Sequence, residues 1–354
     1  MVADRPYPVL TGYGERFPTT LSQDELWRGF FNEHFGGRRS AQMAFGAAGV
    51  IHRHAAINPL RENVATWSTG ARMERYLVDA LPLARGALQS AVTAARLDPS
   101  AIGLLVVASC TGYVTPGLDV QLARDLDLPP STERLAVGHM GCHAAIPALG
   151  AARDFVVTHN RPAALVCVEL SSLHLQPPTL DLEQVIVHSL FSDAAAALIV
   201  EPAGDAWPGG LQIIDHLTMT DVASIDFMTW KVTDLGFRMT LSRHVADIVA
   251  SSVKPFVEEL LERNGLSADE VHGWAVHPGG PKILEAVGDR LALCSDDLVD
   301  SYQTLQEHGN CSSPTILLVI AAVHRRLGPA PGQSIVALSF GPGMTLCAVL
   351  LRTT

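Results

Sequence analysis

The strongest constraint on the fold is that the chain states one pattern twice. A charged helical stretch from about Ser68 to Ala95 leads through Leu97-Asp98-Pro99-Ser100 into the apolar run Ile102 to Ser109. A second helical stretch, Ala246 to Asn264, leads through Leu266-Ser267-Ala268-Asp269-Glu270-Val271 into Gly273 to His277. Leu97 and Leu266, and Ile102 and Val271, repeat at an offset of 169 residues, and the same offset carries Cys142 onto Cys311. Each cysteine precedes an apolar helix, and each helix leads to a strand, Ala164 to Glu169 and Ser334 to Ser339. Each half then closes on another strand, Ala194 to Glu201 and Met344 to Arg352, the first half carrying an insertion near 172 to 190. A repeat of this length predicts a duplicated α/β unit. One half alone would leave a sheet face uncovered, so the two stack as a layered αβαβα body with loops converging at its centre. We divide the chain at 1–205 and 206–354.

A chain of 354 residues, 48% of them hydrophobic and 17% charged, can bury a core of that size. The formal charge of −11 argues against a general nucleic-acid surface. Met1 to Pro18 lacks a basic-then-apolar leader pattern, and the longest apolar run, Thr315 to Val323, is too short to span a bilayer. The expectation is a soluble cytoplasmic protein that makes no membrane contact. Six cysteines are scattered without CxxC spacing, which suggests neither a disulfide framework nor a zinc knuckle. His139, Cys142 and His143 have no second cluster to complete a metal site. Residues 1 to 40 look peripheral, with a helix from Gln23 to His34. His52 and His54 look like surface residues of a strand.

The chemistry concentrates where the halves should meet. Gly141-Cys142 ahead of Ala-rich sequence places a cysteine at a helix N-terminus, where unpaired N–H groups stabilise a thiolate. A structural cysteine filling a tight helix contact would give the same local pattern. His277 ends a strand and is followed by Pro278-Gly279-Gly280-Pro281, which stops the strand and aims the histidine into a cleft. Asn310 lies in Gly309-Asn310-Cys311-Ser312-Ser313. Cys, His and Asn on separate elements suit acyl transfer: imidazole and amide N–H groups can both donate to an enolate oxygen, and that pair can drive decarboxylation of a malonyl thioester.

Cys110-Thr111-Gly112 through Pro116-Gly117, Gly141-Cys142, Leu190-Phe191-Ser192-Asp193, His277-Pro278-Gly279-Gly280-Pro281, Gly309-Asn310-Cys311-Ser312-Ser313 and Phe340-Gly341-Pro342-Gly343, in this order, resemble the type III polyketide synthases of the chalcone synthase superfamily. The resemblance covers nearly the whole chain. It implies a thiolase-like, five-layered αβαβα fold and an acyltransferase that extends an acyl-CoA starter with malonyl-CoA and cyclises the product to a pyrone or phenol. CoA thioesters would be substrates, and no cofactor or metal is implied. Carried over by motif, Cys142 is the acyl-carrying nucleophile, His277 and Asn310 the decarboxylation and oxyanion pair, and Phe191 the gatekeeper. Backbone N–H groups of Cys142 and of Phe340, Gly341, Pro342 and Gly343 would hold the tetrahedral oxyanion.

Several positions depart from the plant pattern. Met239 stands where the family has a second gatekeeper phenylalanine, Trp230 where it has glycine and His174 where it has threonine. The larger residues favour a small or aliphatic product over a chalcone. His174 also reads as a satisfied buried histidine. Glu169, Ser171 and Ser312 keep the family's polar or small character, and Cys110 and Tyr113 are further pocket candidates. The family's basic CoA cluster is replaced by Ala41, Ala44 and Ala48, leaving Arg38, Arg39, Arg53 and Lys282 to meet the CoA. Thr115 occupies the place of a methionine that reaches into the partner subunit, so a homodimer is implied. A ketoacyl synthase III-like enzyme making one condensation, and a catalytically silent homologue, are the alternatives.

Overall fold

The computed structural model describes residues 7–202 and 209–354. The division expected at 205/206 lies outside the described residues. Among those described, nine strands form one mixed sheet in the spatial order Val271–Val276, Ser334–Gly341, Thr345–Thr353, Leu211–Thr220, Val9–Arg16, Asp193–Glu201, Ala163–Leu170, Leu104–Ser109 and Glu133–Gly138. In the first half Leu104–Ser109 runs parallel to its two neighbours, and Asp193–Glu201 turns antiparallel. The second half repeats this, with Val271–Val276 parallel to Ser334–Gly341 and Thr345–Thr353 antiparallel to it. Among the described residues, the strands of the two halves pair at Val9 with Gln212 and Leu10 with Leu211.

Strands this apolar on both faces need cover on both faces. Helices Ala145–His159 and Ser313–Leu327 lie between the halves, where Leu149, Ile316 and Ile320 pack with Leu165, Leu198, Ile335 and Val349. Alternate residues face outward: Val166, Ala197 and Ile199 meet Ala84, Leu88 and Ala91 of helix Thr69–Ala95. On the other flank, Val336, Ala348 and Leu350 meet Val253, Phe256 and Leu260 of helix Val245–Arg263. These make the five αβαβα layers, with the two cysteine-led helices in the middle one.

Residues 1 to 40 are not all peripheral, because Val9–Arg16 is the strand at which the halves join. Its glycines conceal it, since glycine weakens a strand pattern. Their cause is close packing: a β-carbon at Gly12 would overlap the Ala91 carbonyl, and one at Gly14 the Ala87 carbonyl, both on helix Thr69–Ala95. The helix expected from Gln23 to His34 is present but carries a π-helical turn at Trp27–Phe31. The insertion near 172 to 190 supplies helix Leu182–Leu190, which delivers Phe191 to the seam.

Candidate active site

Cys142 sits in the single turn Gly141–His143 that precedes helix Ala145–His159, and it is buried. Gly141 has φ of +70°, and a β-carbon there would come within 2.8 Å of the Pro342 ring. A β-carbon on Gly341 would overlap the His143 imidazole. The Phe340–Gly343 turn is thus wedged directly against the cysteine turn, and the glycines permit the approach. Hydrogen bonds from Ser312 and Asn310 favour a thiolate at Cys142, yet burial outweighs them and pushes the thiol up to about 12. The helix start alone does not produce a resting thiolate.

His277 follows strand Val271–Val276, fixed by its N–H donating to the Leu338 carbonyl at 2.8 Å. The ring is buried, and neither nitrogen has a hydrogen-bond partner. Burial, with nearby His143 adding to it, lowers the imidazole to about 3. Buried polar atoms left unpaired in this way are costly, and a substrate oxygen is the kind of partner they lack.

Asn310 ties these elements together. Its N–H donates to the Leu190 carbonyl at 2.9 Å and its carbonyl accepts from Ser192 N–H at 2.9 Å, bridging the Phe191 turn of the first half. The side-chain Oδ1 accepts from Ser312 N–H at 2.9 Å, which turns Nδ2 toward the Gly279 carbonyl, 3.5 Å away, and leaves the amide able to donate. Burial opposes a charge on Cys142 or His277 taken singly. A proton passing from Sγ to the imidazole keeps the net charge at zero and lets the new charges stabilise each other.

Beside this cluster is a cavity lined by Ser171, His174, Phe191, Trp230 and Met239 together with Phe31, Gln184, Val187 and His188. His174 donates from Nε2 to the Thr111 carbonyl at 2.7 Å and accepts at Nδ1 from Phe237 N–H at 2.9 Å, and the Phe237 ring stacks on it at 4.5 Å. Trp230 donates to the Cys110 carbonyl at 2.8 Å and meets His174 edge-on at 5.2 Å. The two interlock as a fixed wall. Cys110 Sγ is 3.9 Å from Ser312 Oγ.

Glu169, expected to line the pocket, is buried and already holds the protein's own donors: Cys110 N–H at 3.0 Å, Thr111 Oγ1 at 2.8 Å and Ser313 Oγ at 2.8 Å. It links the end of strand Leu104–Ser109 to helix Ser313–Leu327.

The expected basic cluster divides. Arg39 and Lys282 are exposed. Arg38 is half-buried and donates to the carbonyls of Phe35, Thr179 and Leu180. Arg53 is a correction: it is buried, and its terminal nitrogens are taken by Gln23 Oε1 and the carbonyls of His188, Ser189 and Phe191. It fixes the gatekeeper turn and cannot be a surface contact for CoA. His54 is a second correction, since it is buried and bonded to His308, while His52 is exposed. Thr115 and Tyr113 are exposed. Sequence reasoning passed over His308, weighed His143 only as a metal ligand and used Ser192 only as part of the motif around Phe191; the signal for a role was their nearness in sequence to Asn310, Cys142 and Phe191. Among the described residues no cluster of three or more His, Cys, Asp or Glu is placed to hold a metal, and no helix is long and apolar enough to cross a membrane.

Comparison with known proteins agrees with this geometry. Residues 54–204 match the N-terminal domain of the chalcone and stilbene synthases, and residues 208–354 match their C-terminal domain. The chain is 32% identical over 327 residues to the alpha-pyrone synthesis polyketide synthase-like Pks18 of Mycobacterium tuberculosis, covering 89% of this chain and 82% of that protein. It is 35% identical over 313 residues to the 1,3,6,8-tetrahydroxynaphthalene synthase of Streptomyces peucetius subsp. caesius, covering 86% of this chain and 81% of that one. The crystal structure of PKS-I from the brown alga Ectocarpus siliculosus superposes with a TM-score of 0.93 at 28% identity, over the full length of both chains.

Proposed function

Because the chain belongs to the chalcone and stilbene synthase family of type III polyketide synthases, we propose that Cys142 carries the growing acyl chain while His277 and Asn310 drive malonyl-CoA decarboxylation. The observation that carries this reading is the pair of orphaned nitrogens on buried His277 beside the turned-out amide of Asn310. In the loading step the Cys142 thiol gives its proton to His277 as sulfur attacks the starter thioester. CoA leaves and takes that proton. Malonyl-CoA then places its thioester oxygen on the imidazole and amide N–H groups. Carbon dioxide departs, its bonding electrons collect as an enolate held by those donors, and the enolate carbon attacks the acyl group on Cys142. The thiolate released is ready to receive the chain again.

Trp230 and His174, each pinned by hydrogen bonds, supply rigid bulk where the cavity must hold the polyketide. We assign a small or aliphatic product on that ground. Of the four basic candidates, exposed Arg39 and Lys282 are the two we assign to the CoA phosphates. The reaction as written uses thiol, imidazole and amide alone, and needs no metal or prosthetic group. The cytoplasm supplies its CoA thioesters.

A homodimer is the assembly we favour. Among the described residues, strand Glu133–Gly138 pairs on one side only, and five of its six residues are exposed. Such an edge is a template for pairing with another chain, and Tyr113 and Thr115 are exposed nearby in sequence. The single-condensation and silent-homologue readings are not favoured, since the relatives above are described as polyketide or tetrahydroxynaphthalene synthases. Incubation with malonyl-CoA and a panel of acyl-CoA starters should yield free CoA and new polyketides by mass spectrometry. An absolute requirement for a carrier protein, or no malonyl-CoA turnover with any starter, would reject the proposal.

A further inference from the structure

His308 is the last residue of helix Val299–His308, two residues before Asn310. His54 Nε2 and His308 Nδ1 lie 2.9 Å apart, and His54 Nδ1 is 3.2 Å from Thr20 Oγ1. Phe17 stacks on both imidazoles, with ring centroids 4.3 Å and 4.6 Å away. The backbone of His54 is held by Ser192, whose Oγ accepts from His54 N–H at 2.7 Å and donates to the His54 carbonyl at 3.1 Å. Ser192 N–H in turn donates to the Asn310 carbonyl. The contacts close a ring: His54, Ser192, Asn310, Gly309, His308 and back to His54. Three segments remote in sequence are thereby locked around one active-site side chain.

We infer that His54 and His308 are positioning residues for Asn310, and that their shared hydrogen bond sets the alignment on which malonyl decarboxylation depends. This rests on the reading of Asn310 given above. Gly309 has φ of +68°, and a β-carbon there would come within 3.0 Å of the Leu190 carbonyl and Ser192 Cβ, so the loop carrying Asn310 is packed on the Phe191 turn on one side and tied to the histidine pair on the other. Gly309 also follows the final turn of a helix, where movement of His308 passes straight to Asn310. Misplacement of a reacting group by about 1 Å costs on the order of a hundredfold in rate.

The link has a pH limit. One imidazole must donate and the other accept, so the bond fails once both are protonated. Burial first, then His308 and His52 on the same strand, disfavour protonation of His54 and lower it to about 4. Glu15 from strand Val9–Arg16 and Glu307 on the histidine's own helix favour protonation of His308, yet burial dominates and its pKa is lowered. The link therefore persists at neutral pH and is lost only toward pH 4, where His54 is protonated as well as His308.

The test separates two steps at pH 7.5: acetyl-CoA formation from malonyl-CoA, and Cys142 acylation followed by intact-protein mass. His308→Ala should lower decarboxylation about tenfold or more while acylation stays within about twofold. Asn reproduces a donor or acceptor near Nδ1, and Gln one near Nε2. The double variant His54→Gln/His308→Asn should recover most of the lost decarboxylation and, lacking the titrating pair, hold it about one pH unit further into acid than wild type. Thermal melting of each variant separates misfolding from misalignment. Equal losses in both steps, or an acid limb unchanged in the double variant, would overturn the inference. A wild type that never turns over malonyl-CoA would instead defeat the assignment of Asn310.

Discussion

Acid should destabilise this protein through its buried histidines, and His174 allows the effect to be isolated. Both its nitrogens are engaged with the backbone, Nε2–H donating to Thr111 and Nδ1 accepting from Phe237, and burial lowers its pKa from 6.5 to about 3. The depressed value means the unfolded chain takes up a proton that the folded one refuses. Stability is therefore full above pH 6.5 and is lost as pH falls toward 3. Between pH 7.5 and 5.0 the loss is about 2 kcal/mol for this one residue, and it stays near that figure provided the folded value is below about 4. His188 and His277, also near 3, act in the same direction. Asp193, raised to about 6 by burial, acts in the opposite one. The comparison needed is between wild type and His174→Gln, with unfolding free energies from urea titrations at the two pH values. The substitution costs stability at both, but its pH dependence should be smaller than that of wild type by about 2 kcal/mol. Identical pH dependence in the two proteins would show that His174 is not held neutral, and would refute the argument.

Other consequences can be checked alongside. Gly12→Ala, which drives a methyl into the Ala91 carbonyl, should destabilise the protein by about 1–3 kcal/mol with no change in starter preference, read by denaturant midpoint and a starter panel. Trp230→Ala removes one side of the interlocked wall and should shift the products toward more extensions by mass spectrometry; an unchanged product profile would mean the wall does not limit chain length. Leu135→Arg, on the exposed edge strand, should convert a dimer to monomer in sedimentation velocity, and a dimer that survives it is built on another surface.

What the sequence revealed and what it concealed have separate physical causes. The duplicated pattern and its cysteine-led helices were legible because they are local periodicities, repeated in order. Cys142, His277 and Asn310 could be named because each sits beside glycine or proline that stops an element. Val9–Arg16 was hidden, since the glycines that let helix Thr69–Ala95 approach are the ones that weaken a strand signal. Arg53 and His54 read as surface residues from their polarity. Their partners are carbonyls, hydroxyls and an imidazole on segments 30 to 254 residues away in sequence, which no local pattern announces. The ladder joining Phe191 to Asn310 is of the same kind.

The division of labour across the seam can be put to one measurement: acetyl-CoA release from malonyl-CoA and acyl adduct on the protein, quantified together for Cys142→Ala and Asn310→Ala. Cys142→Ala should carry no adduct yet still decarboxylate malonyl-CoA, and Asn310→Ala should carry the adduct yet lose decarboxylation. If either substitution abolishes both activities in a folded protein, nucleophile and decarboxylation pair are not the separate contributions of two halves, and the account of this active site is wrong.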